Sequence, residues 1–171
     1  MFFSKKILKI LAIAIIALFL ALLIRYFVFQ TFSVKGTSME PNFVDGEYLI
    51  IDKLSYLLRK PKRGEAVIIA FSQKDLFFKR VVGLPEETLE IKNGDIFIYN
   101  KKQNQWIKVS EKYLLKNTKT SPDFRVVLKK NEYFVIGDNR QISFDSRAWG
   151  AIPLKYIVGK TLIRVWPLTF Y

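Results

Sequence analysis

Hydrophobic and polar positions follow different rules on either side of residue 30. Ile10–Ile24 is fifteen apolar residues without interruption, and Ile7–Phe29 carries only Lys9 and Arg25 as charges. A helix rises about 1.5 Å per residue, so roughly 20 such residues cross the hydrocarbon core of a bilayer. No polar face breaks the run, unlike the amphipathic helix of a soluble fold. The pattern predicts one membrane-spanning helix over 7–29. Lys9 and Arg25 stand near its ends, where long side chains reach the headgroups, and Tyr26, Phe27 and Phe29 stand where interfacial aromatics belong. The run is also longer than the roughly 7–15 apolar residues of a cleavable secretory segment, although Thr31-Phe32-Ser33 loosely has the small-x-small form of a cleavage site.

Beyond Ser33 the pattern changes to short runs rich in Val, Ile, Phe and Tyr, separated by turn residues. Residues 47–52, 65–71, 77–82, 88–92, 95–99, 106–109, 125–128, 132–136 and 161–166 read as strands. Asn93-Gly94 between two of them is a two-residue hairpin signal. No long helical period lies between the strands. The expected fold class is mostly β, an antiparallel domain over residues 30–171 behind one transmembrane helix. Residues 101–130 read as a basic peripheral insertion.

Charge and composition narrow the chemistry. Lys and Arg total 28 against 15 Asp and Glu, a net charge of +13. Lys5, Lys6 and Lys9 on the short N-terminal flank favour a cytoplasmic residue 1–6 segment and an extracytoplasmic domain, in a single-pass plasma-membrane topology. Two basic stretches, Lys53–Arg63 and Lys101–Lys130, read either as solvated loops or as contacts for anionic lipid headgroups. No nucleic-acid recognition motif is visible, so nucleic acid is not expected as a partner. The chain has no Cys and no His. Disulfides, a Cys nucleophile, zinc sites built from Cys or His, and a Ser-His-Asp triad are all excluded. No metal or cofactor is expected.

Three polar islands interrupt the strands. Ser38 lies in Gly36-Thr37-Ser38-Met39-Glu40-Pro41, nine residues beyond Phe29. At about 3.3–3.6 Å per extended residue, the linker holds it within roughly 30 Å of the anchor. By itself such a serine also reads as an ordinary turn residue. Lys79 lies in Phe77-Phe78-Lys79-Arg80-Val81-Val82. Strand alternation sends Lys79 and Arg80 to opposite faces. A desolvated lysine has a lowered pKa and can act as a general base, whereas an edge-strand lysine only discourages aggregation. The third island is Gly137-Asp138-Asn139-Arg140-Gln141-Ile142-Ser143-Phe144-Asp145-Ser146-Arg147. It reads as a side-chain hydrogen-bond network in which Asp145 and Arg147 pair, or as a polar loop with Asx-turns.

Together the three islands, in this order behind a membrane segment, resemble the type I (leader) signal peptidases, membrane-bound Ser-Lys proteases. GTSMEP resembles the serine box, FFKRVVGLPEE the lysine box, and GDNRQISFDSR followed by AWGAIP the third box. The resemblance implies a signal-peptidase-like β catalytic domain with Ser38 as nucleophile and Lys79 as general base. It implies that Ser143 orients the lysine amine, that Asp145 and Arg147 support the region through an ion pair, and that Asp138 and Arg140 brace the loop. The oxyanion donor would include the Ser38 N–H. Gly36 stands where some relatives carry a serine hydroxyl, so no side-chain donor is expected there, and Gly36→Ala is expected to be damaging. Glu86-Glu87 stands where many relatives have Gly-Asp.

The implied substrates are the signal peptides of preproteins, cut beyond small residues at the first and third positions before the bond. Phe32, Val34, Met39, Phe43, Phe77 and Phe78 read either as lining for the pockets that enforce this or as core. A monomer at the lipid bilayer is expected. Two alternatives stay open: a self-cleaving Ser-Lys protease of the repressor type, and a membrane-anchored β domain that binds secreted proteins without cutting them.

Overall fold

The computed structural model describes residues 5–72, 75–101, 103–165 and 168–170, and the side chains of all of these except 21, 23–29 and 169. The side chains of the expected aromatic belt (Tyr26, Phe27, Phe29) and of Arg25 are not among those described, and Trp166 lies outside the described residues. The apolar run forms one helix, α1 (Lys5–Val28), of 24 residues. Among the described residues, no helix is long and apolar enough to cross a membrane. Every described side chain of α1 is exposed. Phe29, placed last in the anchor by the sequence pattern, instead opens the first strand.

Among the described residues twelve strands follow: β1 (Phe29–Ser33), β2 (Tyr48–Asp52), β3 (Ala66–Ala70), β4 (Leu76–Gly83), β5 (Thr88–Lys92), β6 (Asp95–Asn100), β7 (Gln105–Lys108), β8 (Phe124–Val127), β9 (Glu132–Ile136), β10 (Ile152–Pro153), β11 (Ile157–Arg164) and β12 (Thr169–Phe170). Among the described residues, two short α-helices, α2 (Ser55–Leu58) and α3 (Ser146–Trp149), and a 3-10 turn (Leu154–Tyr156) interrupt them. Among the described residues the strands make two antiparallel sheets. The larger has the order β1-β2-β11-β3-β4-β9-β10 with β12 on β11, and the smaller has the order β7-β6-β5-β8.

The alternation of apolar residues explains the packing. Phe78, Leu49, Ile51 and Ile68 share one core with Val34, Met39 and Phe43. Val67, Ile69, Val81 and Val135 share a second with Tyr133 and Ile157. Val82, Leu89, Ile91, Ile96 and Ile98 fill a third, where the smaller sheet meets the end of β4. The Asn93-Gly94 hairpin forms as expected, with Lys92 opposite Asp95 and positive φ at both turn residues.

Register fixes which ends meet. Phe29 pairs with Asp52, Asp52 with Lys160, Ile157 with Ile69, and Ala70 with Leu76. The start of β1, the end of β2, the start of β11, the end of β3 and the start of β4 therefore lie at one end of the larger sheet. The smaller sheet continues from Gly83, the other end of β4.

Residues 101–130 were expected as a peripheral insertion and are instead built into the fold. β7 pairs with β6, and β8 pairs with β5. Between them Glu111, Thr120 and Ser121 reach the third polar island, and Tyr113 O accepts from Asn42 of the serine loop. Acids outside the stretch absorb some of its charge, since Lys108 pairs with Asp95 and Arg125 with Glu90.

Candidate active site

Ser38 sits in the loop between β1 and β2, which closes on itself. Val34 N donates to Glu47 O at 2.8 Å, and Gly46 N donates to Val34 O at 3.0 Å. Gly36 N donates to the Asp45 carboxylate at 2.6 Å, with Gly36 at φ +79°. That backbone is strained for any residue with a Cβ, although a methyl there would meet no atom within 4 Å. Asn42 fastens the other side of the loop by donating to Asp138 Oδ2 and Tyr113 O, both at 2.8 Å.

Lys79 lies within β4, opposite Val67 of β3, and is 3% exposed. Its Nζ donates to Ser38 Oγ at 2.6 Å. Burial pushes the amine pKa down to about 8, and Arg147 pushes the same way, against the pull of the Asp145 and Asp138 carboxylates. About a tenth of such amines are neutral at pH 7, against fewer than about one in a thousand for a free lysine. A neutral amine at this distance can take the hydroxyl proton.

Arg80, the next residue, holds Asp138 through Nε at 2.7 Å and through Nη2, and donates to Gly64 O at 2.8 Å. Its guanidinium carbon also lies 4.1 Å from the centre of the Tyr113 ring. In the sequence Arg80 carries no signal beyond strand alternation beside Lys79.

The third island wraps this pair. Asn139 N donates to Ser38 O at 3.0 Å. Gly137 permits the close approach, because a Cβ there would fall 2.5 Å from Ser38 O and 2.2 Å from Ser143 Oγ. Asp145 is fully buried and accepts from Arg147 Nε and Nη2, both at 2.8 Å, and from Gly137 N at 3.0 Å. Burial pushes the Asp145 pKa up, but these donors outweigh it and hold the carboxyl below its ordinary value. Arg147 also donates to Arg140 O at 2.7 Å and Ser121 O at 3.0 Å. The expected Asp145–Arg147 pair is therefore present. Asp138 and Arg140 brace the loop through separate partners: Asp138 takes Arg80, while Arg140 takes Glu111, Thr120 and Gly137 O. Ser143 Oγ is buried with no partner at hydrogen-bond geometry, yet lies near enough to Asp145 to help lower its pKa. It makes no hydrogen bond to Lys79, the contact the resemblance implied.

A cleft of about 620 Å³ opens over Ser38 and Lys79. Of the six expected pocket residues, Phe32, Phe77 and Phe78 line it. Val34, Met39 and Phe43 do not; they are 1–2% exposed in the core beneath, because the closed serine loop turns them inward. Leu76, Ile142 and Phe144 complete the apolar lining. Ile142 and Phe144 are 60% and 62% exposed. Their alternation with polar residues was the available signal for them. The Glu86-Glu87 departure is also accommodated. Glu86 takes φ +66°, and Glu87 accepts Leu84 N at 2.7 Å and pairs with Arg63.

Comparison with known proteins follows the same lines. The family model for signal peptidase, peptidase S26, matches residues 7–166. Signal peptidase I of Bacillus licheniformis is 40% identical over 164 residues, covering 90% of this chain and 85% of its own. A probable signal peptidase I-2 of Synechocystis sp. is 34% identical over 160 residues, 89% of this chain and 70% of its own. A solved signal peptidase I from Enterococcus faecalis is 26% identical and covers 60% of this chain and 97% of its own, at a TM-score of 0.48. A family match across nearly the whole length, joined by relatives of this identity, makes the chain a member of the signal peptidase family, peptidase S26, and so a hydrolase.

Proposed function

We propose that this chain is a membrane-anchored serine endopeptidase that removes signal peptides from preproteins, with Ser38 as nucleophile and Lys79 as general base. The observation that carries this reading is the 2.6 Å contact between Ser38 Oγ and a buried lysine amine at the floor of an open cleft. Neutral Lys79 takes the Ser38 proton as Oγ attacks the scissile carbonyl. The oxyanion of the tetrahedral intermediate receives the Ser38 N–H. Gly36 N–H is already given to Asp45, so it adds no donor. The protonated amine then passes its proton to the leaving nitrogen, and the acyl-enzyme forms. Water, activated by the regenerated amine, hydrolyses the ester and frees Ser38.

The cleft supports the substrate class. Among the described residues β1 pairs with β2 on one side only, which leaves its other edge for an extended peptide. Phe32, Phe77 and Phe78 line the cleft beside Ser38, and their bulk suits small side chains at the first and third positions before the cut. Location is supported by α1, whose described apolar side chains are exposed, with no cover among the described residues. Leu76, at the mouth of the cleft, stands at the same end of the sheet as the exit of α1. Lys5, Lys6 and Lys9 favour a cytoplasmic N-terminus.

The test is cleavage of a preprotein in detergent, with N-terminal sequencing of the product. Wild type should release one mature N-terminus, and Ser38→Ala and Lys79→Ala should each lose at least about a thousandfold in rate. Equal activity in all three would refute the dyad. An inactive wild type would favour the binding-domain alternative.

A further inference from the structure

The chain leaving β2 heads back to where α1 enters the fold. β1 and β2 are antiparallel with Phe29 opposite Asp52, so these Cα atoms lie about 5 Å apart. Asp52 accepts Ser55 N at 2.9 Å and the Ser55 hydroxyl at 2.5 Å, which starts α2. Lys53 Nζ donates to Gln30 Oε1 at 3.3 Å and ties this turn to β1. At no more than about 3.6 Å per residue, Leu57 lies within roughly 25 Å of Phe29.

The turn presents bare leucines. Leu57 and Leu58 are 81% and 80% exposed, Leu54 is 40% exposed, and α2 buries none of its residues. Residues 53–63 themselves hold five cations and no acid. Glu65 and Glu87 engage Arg59 and Arg63. Lys60 and Lys62 are exposed, and neither forms an ion pair among the described residues. Two leucines on one helical turn offer far less than the roughly 1,000 Å² that a stable protein interface buries. They do match a bilayer interface, where apolar side chains sink beneath cations that stay at the phosphates. The second basic stretch lacks this placement, because its strands belong to the smaller sheet beyond Gly83.

Building on the anchored reading of α1, we infer that residues 53–63 form a second membrane contact, specific for anionic lipid. Leu57 and Leu58 enter the headgroup region while Lys60 and Lys62 bind lipid phosphates, each lysine adding roughly fivefold to the affinity. A single helix leaves the domain free to swivel about its exit. A second contact beside that exit fixes which way the cleft faces.

The chain has no cysteine, so Leu58→Cys gives a unique site for an environment-sensitive fluorophore on the full-length protein. The labelled chain is reconstituted in phosphatidylcholine vesicles and in vesicles of 7:3 phosphatidylcholine to phosphatidylglycerol. On the anionic vesicles the emission should shift to the blue and be quenched by spin-labelled lipid. Lys60→Glu with Lys62→Glu should abolish both effects. A label at Val127→Cys, on exposed β8, should stay water-like throughout. A Leu58 label as wet as the Val127 label on anionic vesicles would overturn the contact. Equal quenching in both vesicles, untouched by charge reversal, would overturn the anionic specificity. Flotation separates the two readings: a chain that fails to float with vesicles overturns the anchor and this contact together, whereas a floating chain with a wet label overturns the contact alone.

Discussion

A lysine amine enclosed to 3% exposure gives up its proton more readily than one in water, and the fold bears the cost. A pKa that falls from 10.5 to about 8 on folding means that the unfolded chain binds more protons between those values. Stability therefore rises with pH across that window, and the penalty, on the order of 3 kcal/mol, is complete below about pH 8. Lys79→Met should accordingly melt higher than wild type at pH 7 while losing activity, and the gap in Tm should close as pH approaches 10.5. Equal or lower melting of the variant at pH 7 would show that burial does not depress this amine. Lys79 was legible in the sequence because strand alternation and flanking phenylalanines marked a charge that could be buried. Ser143 was legible only as a position, since its hydroxyl lacks the lysine bond expected of it.

Among the elements, the hairpins could be read because their signals are local: alternation on each side of Asn93-Gly94 is enough to set the register. The strap at residues 111–121 could not. Its contacts run to Arg140, Arg147 and Asn42, and no periodicity reports a partner so distant in sequence. It reads as a basic loop because lysines dominate, while Glu111 and Tyr113 do the anchoring. The Arg140 side chain is 0% exposed, and Glu111 is the acid that pairs with it. Glu111→Ala leaves that cation buried and unmatched, a loss of about 3–5 kcal/mol. The denaturant midpoint should fall accordingly. A change under about 1 kcal/mol would mean that the strap is as peripheral as the sequence suggested.

For the molecule as a whole, the apolar run reads to Phe29 in the sequence, whereas α1 ends at Val28. Its boundary fell late because Phe29 is as apolar as the helix before it, and only pairing with Asp52 assigns it to the sheet. The difference matters for truncation. Deleting residues 2–28 spares β1, whereas a cut through residue 30 removes the strand residues opposite Asp52 and Ile51. The shorter deletion should cleave a soluble peptide at a rate within about threefold of the full chain, yet lose at least about tenfold on a preprotein embedded in vesicles. Equal loss on both substrates would mean that α1 supports the fold rather than the encounter.

The pairing of a neutral Lys79 with Ser38 is tested most directly by single-turnover cleavage of a preprotein as a function of pH. The rate should climb tenfold per pH unit below an apparent pKa near 8 and level off above it. A rate that stays flat down to pH 5, or a midpoint near the 10.5 of an unburied lysine, would contradict the assignment of Lys79 as the base.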